Sequence, residues 1–105
     1  MLLPRFQYHE PSSLIEACRL MHELRGAVRP IAGGTDLVVN MRRGAVAPEH
    51  IVSLGRIKEL SGMGLSGSIL TIGACSTVAS LAASSDIASR FHALCEGALG
   101  LGSVT

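Results

Sequence analysis

The chain has no tryptophan, one tyrosine and two phenylalanines among 105 residues. Its core must therefore come from Leu, Ile, Val, Ala and Met, and the many alanines and glycines bury little area each. At about 25 cal/mol per Å² of apolar surface buried, a chain this short is marginal alone. An excess of either charge is also missing. The formal net charge is +1, which leaves no basic field for nucleic acid and no acidic tail. Arg42 and Arg43 read as a solvated helix end. No stretch approaches about 20 uninterrupted apolar residues, so no membrane span is expected. Met1, Leu2 and Leu3 are too few for a signal-peptide core before Pro4 and Arg5. The three cysteines, Cys18, Cys75 and Cys95, are widely spaced and include no C-x-x-C. Zinc and iron–sulfur ligation within the chain are therefore not expected, and each cysteine reads as a small core hydrophobe in a reducing, cytoplasmic setting.

What is present is an ordered run of local signals. Apolar residues make up 48% of the chain, which argues against disorder. Phe6 and Tyr8 alternate with Gln7 and His9, as in a half-buried strand closed by Pro11. Ser13 and Glu16 form a capping-box pattern, with Ser12 as a competing cap. The helix that follows has an apolar stripe of Leu14, Ala17, Cys18, Met21 and Leu24, and Gly26 ends it. Residues 27–32 form a second strand. Pro30 within it implies an edge strand or a strand end. After Gly33 and Gly34, Thr35 or Asp36 caps a short helix that reaches Arg43 and stops at Gly44. A third strand contains Ile51 and Val52. The order strand, helix, strand, helix, strand suggests a small parallel or mixed α/β layer.

After Leu54 the pattern changes. Residues 63–72 read as a hairpin around a Ser66-Gly67-Ser68 turn. Ser76 or Thr77 caps a helix through Ala83. Ser84, Ser85 and Asp86 mark a break and a new cap, followed by one helix to about Leu99. Its apolar side carries Ile87, Phe91, Leu94 and Cys95. Residues 100–105 read as a helix exit and the start of an extended segment. Met21 and Met41 occupy core-like positions. His9, His22, His50 and His92 lack metal-ligand spacing and read as solvated or structural. No residue stands out as an acid, base or nucleophile.

The loop Ile31-Ala32-Gly33-Gly34-Thr35-Asp36-Leu37 is the sharpest chemical feature. It joins a strand end to a helix start. Paired glycines allow positive φ and close approach of a ligand to the backbone. The N–H groups of residues 33–36 can form a nest for phosphate, and Thr35 adds a hydroxyl. Asp36 would repel a diphosphate, so it is expected to turn away and brace the loop or the helix start, or reach a ligand hydroxyl. Arg29 is a candidate source of positive potential. The alternative is a tight turn with a Thr or Asp cap. The loop lacks the third glycine of G-x-G-x-x-G and the lysine of a P-loop, so spacing alone does not name the nucleotide.

Arg29 through Leu37 resembles the first FAD-binding motif of the FAD subunits of molybdenum hydroxylases, a family that includes carbon monoxide dehydrogenase medium subunits and xanthine dehydrogenase FAD subunits. The resemblance extends upstream through Phe6, Tyr8, Pro11, Ser13, Leu14, Glu16 and Ala17. Downstream it takes in Asn40-Met41-Arg42-x-Gly44, Leu60 and Ile72-Gly73-Ala74. It implies an α+β architecture with an α/β-type small subdomain, the N-terminal part of the PCMH or vanillyl-alcohol-oxidase-type FAD-binding fold. The expected division is 1–55, a diphosphate-binding subdomain, and 56–105, the start of a second FAD-binding subdomain. It implies FAD as cofactor, contacted by Pro30, Ile31, Ala32, Gly33, Gly34, Thr35, Asp36 and Leu37, and near the chain end by Leu101 and Gly102.

The resemblance further implies iron–sulfur and molybdenum-cofactor subunits as partners. Electrons would pass from iron–sulfur clusters through FAD to an acceptor such as NAD. Complete family members carry a second glycine motif, T-I-G-G-N, after an I-R-N element that would begin near Thr105. Thr71-Ile72-Gly73-Ala74 lacks its second glycine and asparagine and reads as strand. The chain is therefore expected to be a fragment that holds half of a diphosphate cradle. Two other readings stand beside this one: another flavin oxidase or reductase of the same fold, and a truncated, non-catalytic interaction module.

Overall fold

Local signals start most of the elements. In the computed structural model, which describes residues 3–100, the Ser13 hydroxyl accepts the Glu16 N–H at 3.2 Å and caps α1 (Leu14–Glu23). Gly26 takes φ +89 after the helix, where an L side chain would be strained, and the chain turns into β2 (Val28–Ile31). A second helix, α2 (Leu37–Arg42), ends in a Schellman arrangement. Ala45 N–H bonds the Asn40 carbonyl at 2.9 Å and Gly44 N–H bonds that of Met41 at 3.1 Å, with Gly44 at φ +76.

With β1 (Gln7–His9) and β3 (His50–Ser53), β2 forms a parallel sheet in the order β1-β3-β2. The register pairs Tyr8 with Ile51 and Pro30 with Val52. Pro30 thus sits in an edge strand, where its missing N–H costs no ladder bond on the open side. β3 is central and covered on both faces: Ile51, Val52 and Ser53 are all buried, as expected of an inner parallel strand. Chain direction steps from β1 over β3 to β2 and then back. α1 packs against β2 and β3.

Val52 packs with Ala17 and Ile57, and around them lie Leu20, Met21, Val28, Leu54 and Leu60. Fully burying each of the larger side chains stabilises the fold by about 1.5–3 kcal/mol. The core face of α1 is therefore Ala17, Leu20 and Met21. Cys18, expected in that stripe, is exposed, because the buried face is centred one position off the sequence estimate. Leu14 is likewise exposed. Tyr8 also departs from expectation: it is 55% exposed, while His9 is half-buried.

The chain divides into two units between Leu60 and Ser61. The sequence reading placed the change at residue 55. Ile57 and Leu60 belong to the first unit's core, and a 3₁₀ turn (Lys58–Leu60) ends that unit.

In the second unit, β4 (Met63–Ser66) and β5 (Ile69–Ile72) pair antiparallel, with Ser66 opposite Ile69. Gly67 has φ +61 and Ser68 does not have positive φ, the pattern of a type II′ turn. Residues 71 and 72 are strand, as read from the sequence. Thr77 caps α3 (Val78–Ala83) by accepting the Ser80 N–H at 3.1 Å. Ser84 caps α4 (Ser85–Arg90) through the Ile87 N–H at 3.4 Å. The expected single helix to Leu99 is two: α4 stops at Phe91 (φ −130, ψ 60), and α5 (His92–Leu99) starts there. Ile87, Phe91 and Cys95 keep i, i+4 spacing across the break, so periodicity does not reveal it. Ile87 and Cys95 are buried, and the Cys95 thiol contacts the Ala82 carbonyl at 3.8 Å. Cys75 is half-buried. The expected extended segment after Gly100 lies outside the described residues.

Candidate functional site

Loops that bind ligands in parallel α/β sheets lie at the carboxyl ends of the strands. The glycine loop leaves the carboxyl end of β2, beside the segment that leaves β3. There Leu54 N–H bonds the Ile31 carbonyl at 3.0 Å, and Gly55 N–H bonds the Ser53 hydroxyl at 3.4 Å. Residues Pro30 through Leu37 line one open concavity of about 260 Å³. The structure therefore brings eight of the ten expected site residues to one surface. Leu101 and Gly102 lie outside the described residues.

The two glycines do different things. Gly34 has φ +80, and a Cβ there would lie 3.1 Å from Ile31 Cδ1 and 3.4 Å from Val38 Cγ2. It is needed for the turn itself. Gly33 does not have positive φ, and nothing lies within 4 Å of the place its Cβ would take. Of the two glycines expected to allow positive φ and close approach, Gly34 takes positive φ and Gly33 does not. The fold gives no reason for glycine at 33, and the space it leaves faces open volume.

The backbone donors of this loop are uncommitted. Among the described residues, no backbone carbonyl or side-chain acceptor takes the N–H of Gly33, Gly34, Thr35 or Asp36. The helical ladder begins only at Val38, whose N–H bonds the Gly34 carbonyl at 3.0 Å, and Asn40 N–H bonds that of Asp36 at 3.0 Å. Exposed donors of this kind are satisfied by water or by an anionic ligand. Asp36 holds the N-cap position of α2 in αR geometry (φ −98, ψ −48) and makes no side-chain capping bond. It is exposed, so it does not brace the helix start in the way the sequence suggested. The carboxylate remains free for a hydroxyl donor.

Arg29 lines a different hollow of about 350 Å³, formed with residues 26–28 and 45–49 at the amino ends of β2 and β3. It does not line the glycine loop. That hollow is the larger of the two, but it lies at the wrong end of the strands for an α/β ligand site.

One constellation was missed in the sequence. His9 Nε2 and His50 Nδ1 lie 3.1 Å apart, with ring centroids 5.3 Å apart. No spacing connects positions 9 and 50. Only the parallel register, Gln7 opposite His50 and His9 opposite Val52, puts them side by side. Among the described residues, no group of three or more His, Cys, Asp or Glu side chains is placed to hold a metal. No helix among them is long and apolar enough to cross a membrane. His92 and Glu96 form an exposed i, i+4 pair at 3.0 Å.

Comparison with known proteins bears on this geometry. Residues 4–105 match the family described as the FAD binding domain in molybdopterin dehydrogenase. The carbon monoxide dehydrogenase medium chain of Hydrogenophaga pseudoflava is 37% identical over 98 residues, which are 93% of this chain and 34% of that one. The nicotinate dehydrogenase FAD-subunit of Eubacterium barkeri is 33% identical over 100 residues, covering 93% of this chain and 33% of the subunit. Among solved structures, reconstituted CO dehydrogenase from Oligotropha carboxidovorans superposes with a TM-score of 0.93 at 33% identity, over 98% of this chain and 36% of that one. This chain thus spans about a third of the length of the curated relatives, whose region it follows in both sequence and fold. On the family match along residues 4–105, the chain belongs to the FAD-binding domain family of molybdopterin dehydrogenases, whose cofactor is FAD.

Proposed function

We propose that Pro30 through Leu37 hold the diphosphate of FAD, and that the chain is part of the FAD subunit of a molybdenum-hydroxylase-type oxidoreductase. The observation that carries this reading is the row of free N–H groups at residues 33–36 beside the empty Cβ position of Gly33. Backbone donors suit a phosphate, and an absent side chain lets it come close. The concavity of about 260 Å³ fits one part of a dinucleotide. Sites that enclose a whole ligand of that class measure about 300–1,000 Å³, so the loop is one wall of a larger site. Thr35 adds a hydroxyl, and the Asp36 carboxylate takes a ligand hydroxyl at the margin. Leu101 and Gly102 are proposed to approach the nucleotide.

Bound FAD supplies electron transfer, and this chain's residues supply binding and orientation. The electron route runs from iron–sulfur clusters through FAD to an acceptor such as NAD, within a complex that contains iron–sulfur and molybdenum-cofactor subunits in the cytoplasm. A full-length chimera tests the diphosphate role: this chain replaces the matched region of the Hydrogenophaga pseudoflava medium chain. Titration with FAD and with riboflavin, followed by flavin fluorescence, should show saturable FAD binding that inorganic pyrophosphate competes away. Riboflavin should bind at least about tenfold more weakly, a difference of ~1.4 kcal/mol. Equal affinity for riboflavin, or no competition by pyrophosphate, would refute the proposal.

A further inference from the structure

His9 and His50 meet across the parallel sheet, although 41 residues separate them in the chain. Gln7 pairs with His50 and His9 with Val52, and paired residues of neighbouring strands point to one face. The two imidazoles therefore share the sheet face that carries Val52, against which Ala17 of α1 packs. Both rings are half-buried, so the sheet holds them while water still reaches them. His9 Nε2 and His50 Nδ1 lie 3.1 Å apart. Two nitrogens bound to one zinc ion at about 2.0–2.1 Å lie roughly 3.3–3.4 Å apart in a tetrahedral site, and roughly 2.8–3.0 Å apart at a right angle. The observed separation falls between these two, so a tilt of the rings that changes it by about 0.3 Å or less brings both nitrogens onto one ion.

We propose that His9 and His50 form a two-histidine site for a divalent transition ion of the zinc and copper class, which clips the short strand β1 to β3. Imidazole nitrogen suits zinc and copper, whereas magnesium and calcium take oxygen ligands. In the present contact one ring donates its N–H and the other accepts it. On binding, the donating ring carries its proton on its other nitrogen, so both facing nitrogens offer a lone pair and no proton is lost overall. Two nitrogen–metal bonds form and two waters leave the ion. Other waters keep its remaining positions, and nothing is oxidised or reduced. Among the described residues, no third His, Cys, Asp or Glu side chain is placed to join the pair, so the ion is held more loosely than in a three- or four-ligand site. The proposal does not rest on the flavin reading. His92 and Glu96, 3.0 Å apart and exposed on α5, form the rival site.

Zinc titration of the 105-residue chain against a chromogenic zinc indicator tests it, beside His9→Phe, His50→Phe and His92→Phe. One zinc per chain should bind at every chain concentration, and magnesium should not compete. His9→Phe and His50→Phe should each weaken binding at least about tenfold, because even groups that only orient a metal ligand contribute roughly 10–100-fold. His92→Phe should leave binding unchanged. Zinc should also raise the urea midpoint of the first unit, as an ion that binds only the folded state does. Copper(II) bound to the unsubstituted chain should give an electron paramagnetic resonance spectrum split by two imidazole nitrogens, a readout that needs no variant to fold. Should the chain alone not stay folded, the same titration is read as the difference between the full-length chimera and its His50→Phe form. Absence of saturable zinc binding, binding removed by His92→Phe alone, one zinc per two chains, or a copper spectrum with one imidazole nitrogen overturns the proposal. Flavin content is not read, so this outcome is separate from that of the diphosphate proposal.

Discussion

Gly33 and Gly34 are adjacent and chemically identical, yet the fold asks different things of them. Gly34 carries the turn at φ +80, with its pro-Cβ position 3.1 Å from Ile31. Gly34→Ala should destabilise the first unit by about 1–2 kcal/mol, the cost of an L-residue in the left-handed region. A lowered urea midpoint would show it. Gly33→Ala meets open space without positive φ, so its stability should be unchanged within about 0.5 kcal/mol. Flavin affinity should nevertheless fall, because the added methyl occupies the approach to the loop donors. His9 and His50 make a second residue-scale prediction. Their 3.1 Å contact requires one ring to donate and the other to accept. A double-mutant cycle through His9→Phe, His50→Phe and the pair should give a coupling of about 0.5–1.5 kcal/mol. Coupling indistinguishable from zero would make the contact incidental.

At the scale of elements, boundaries follow short side-chain signals. Ser13, Thr77 and Ser84 each accept an N–H at the start of a helix. Ser13→Ala should lower the stability of the first unit by about 1 kcal/mol, read from far-UV circular dichroism during denaturation. These caps were legible in the sequence because the residue that makes the cap also marks it. The glycine turn at Gly67, the placing of Pro30 at a strand's edge or end, and the stop at Gly44 were legible for the same local reason. The break at Phe91 was not, since neither glycine nor proline marks it and the apolar spacing runs through it. The facing of α1 was placed one position off, so Cys18 looked buried and is not. The His9–His50 contact depends on which strands become neighbours, and local sequence does not encode that. In the glycine loop the sequence marked the turn between strand and helix, while the different backbone angles of Gly33 and Gly34 needed the structure. Asp36 looked like a cap and makes no capping bond.

At the scale of the molecule, the chain folds as two small units. The first presents the glycine loop at the carboxyl end of its parallel sheet. The chain spans about a third of the length of its curated relatives. The central claim is that the free donors of residues 33–36 hold a flavin dinucleotide. The full-length chimera, purified with and without Gly33→Val, tests it through flavin absorbance per polypeptide. The unsubstituted chimera should retain flavin. The variant should unfold at the same urea concentration and lose most of the flavin. A folded variant that keeps its full flavin content, or a folded chimera that carries none, would contradict the claim.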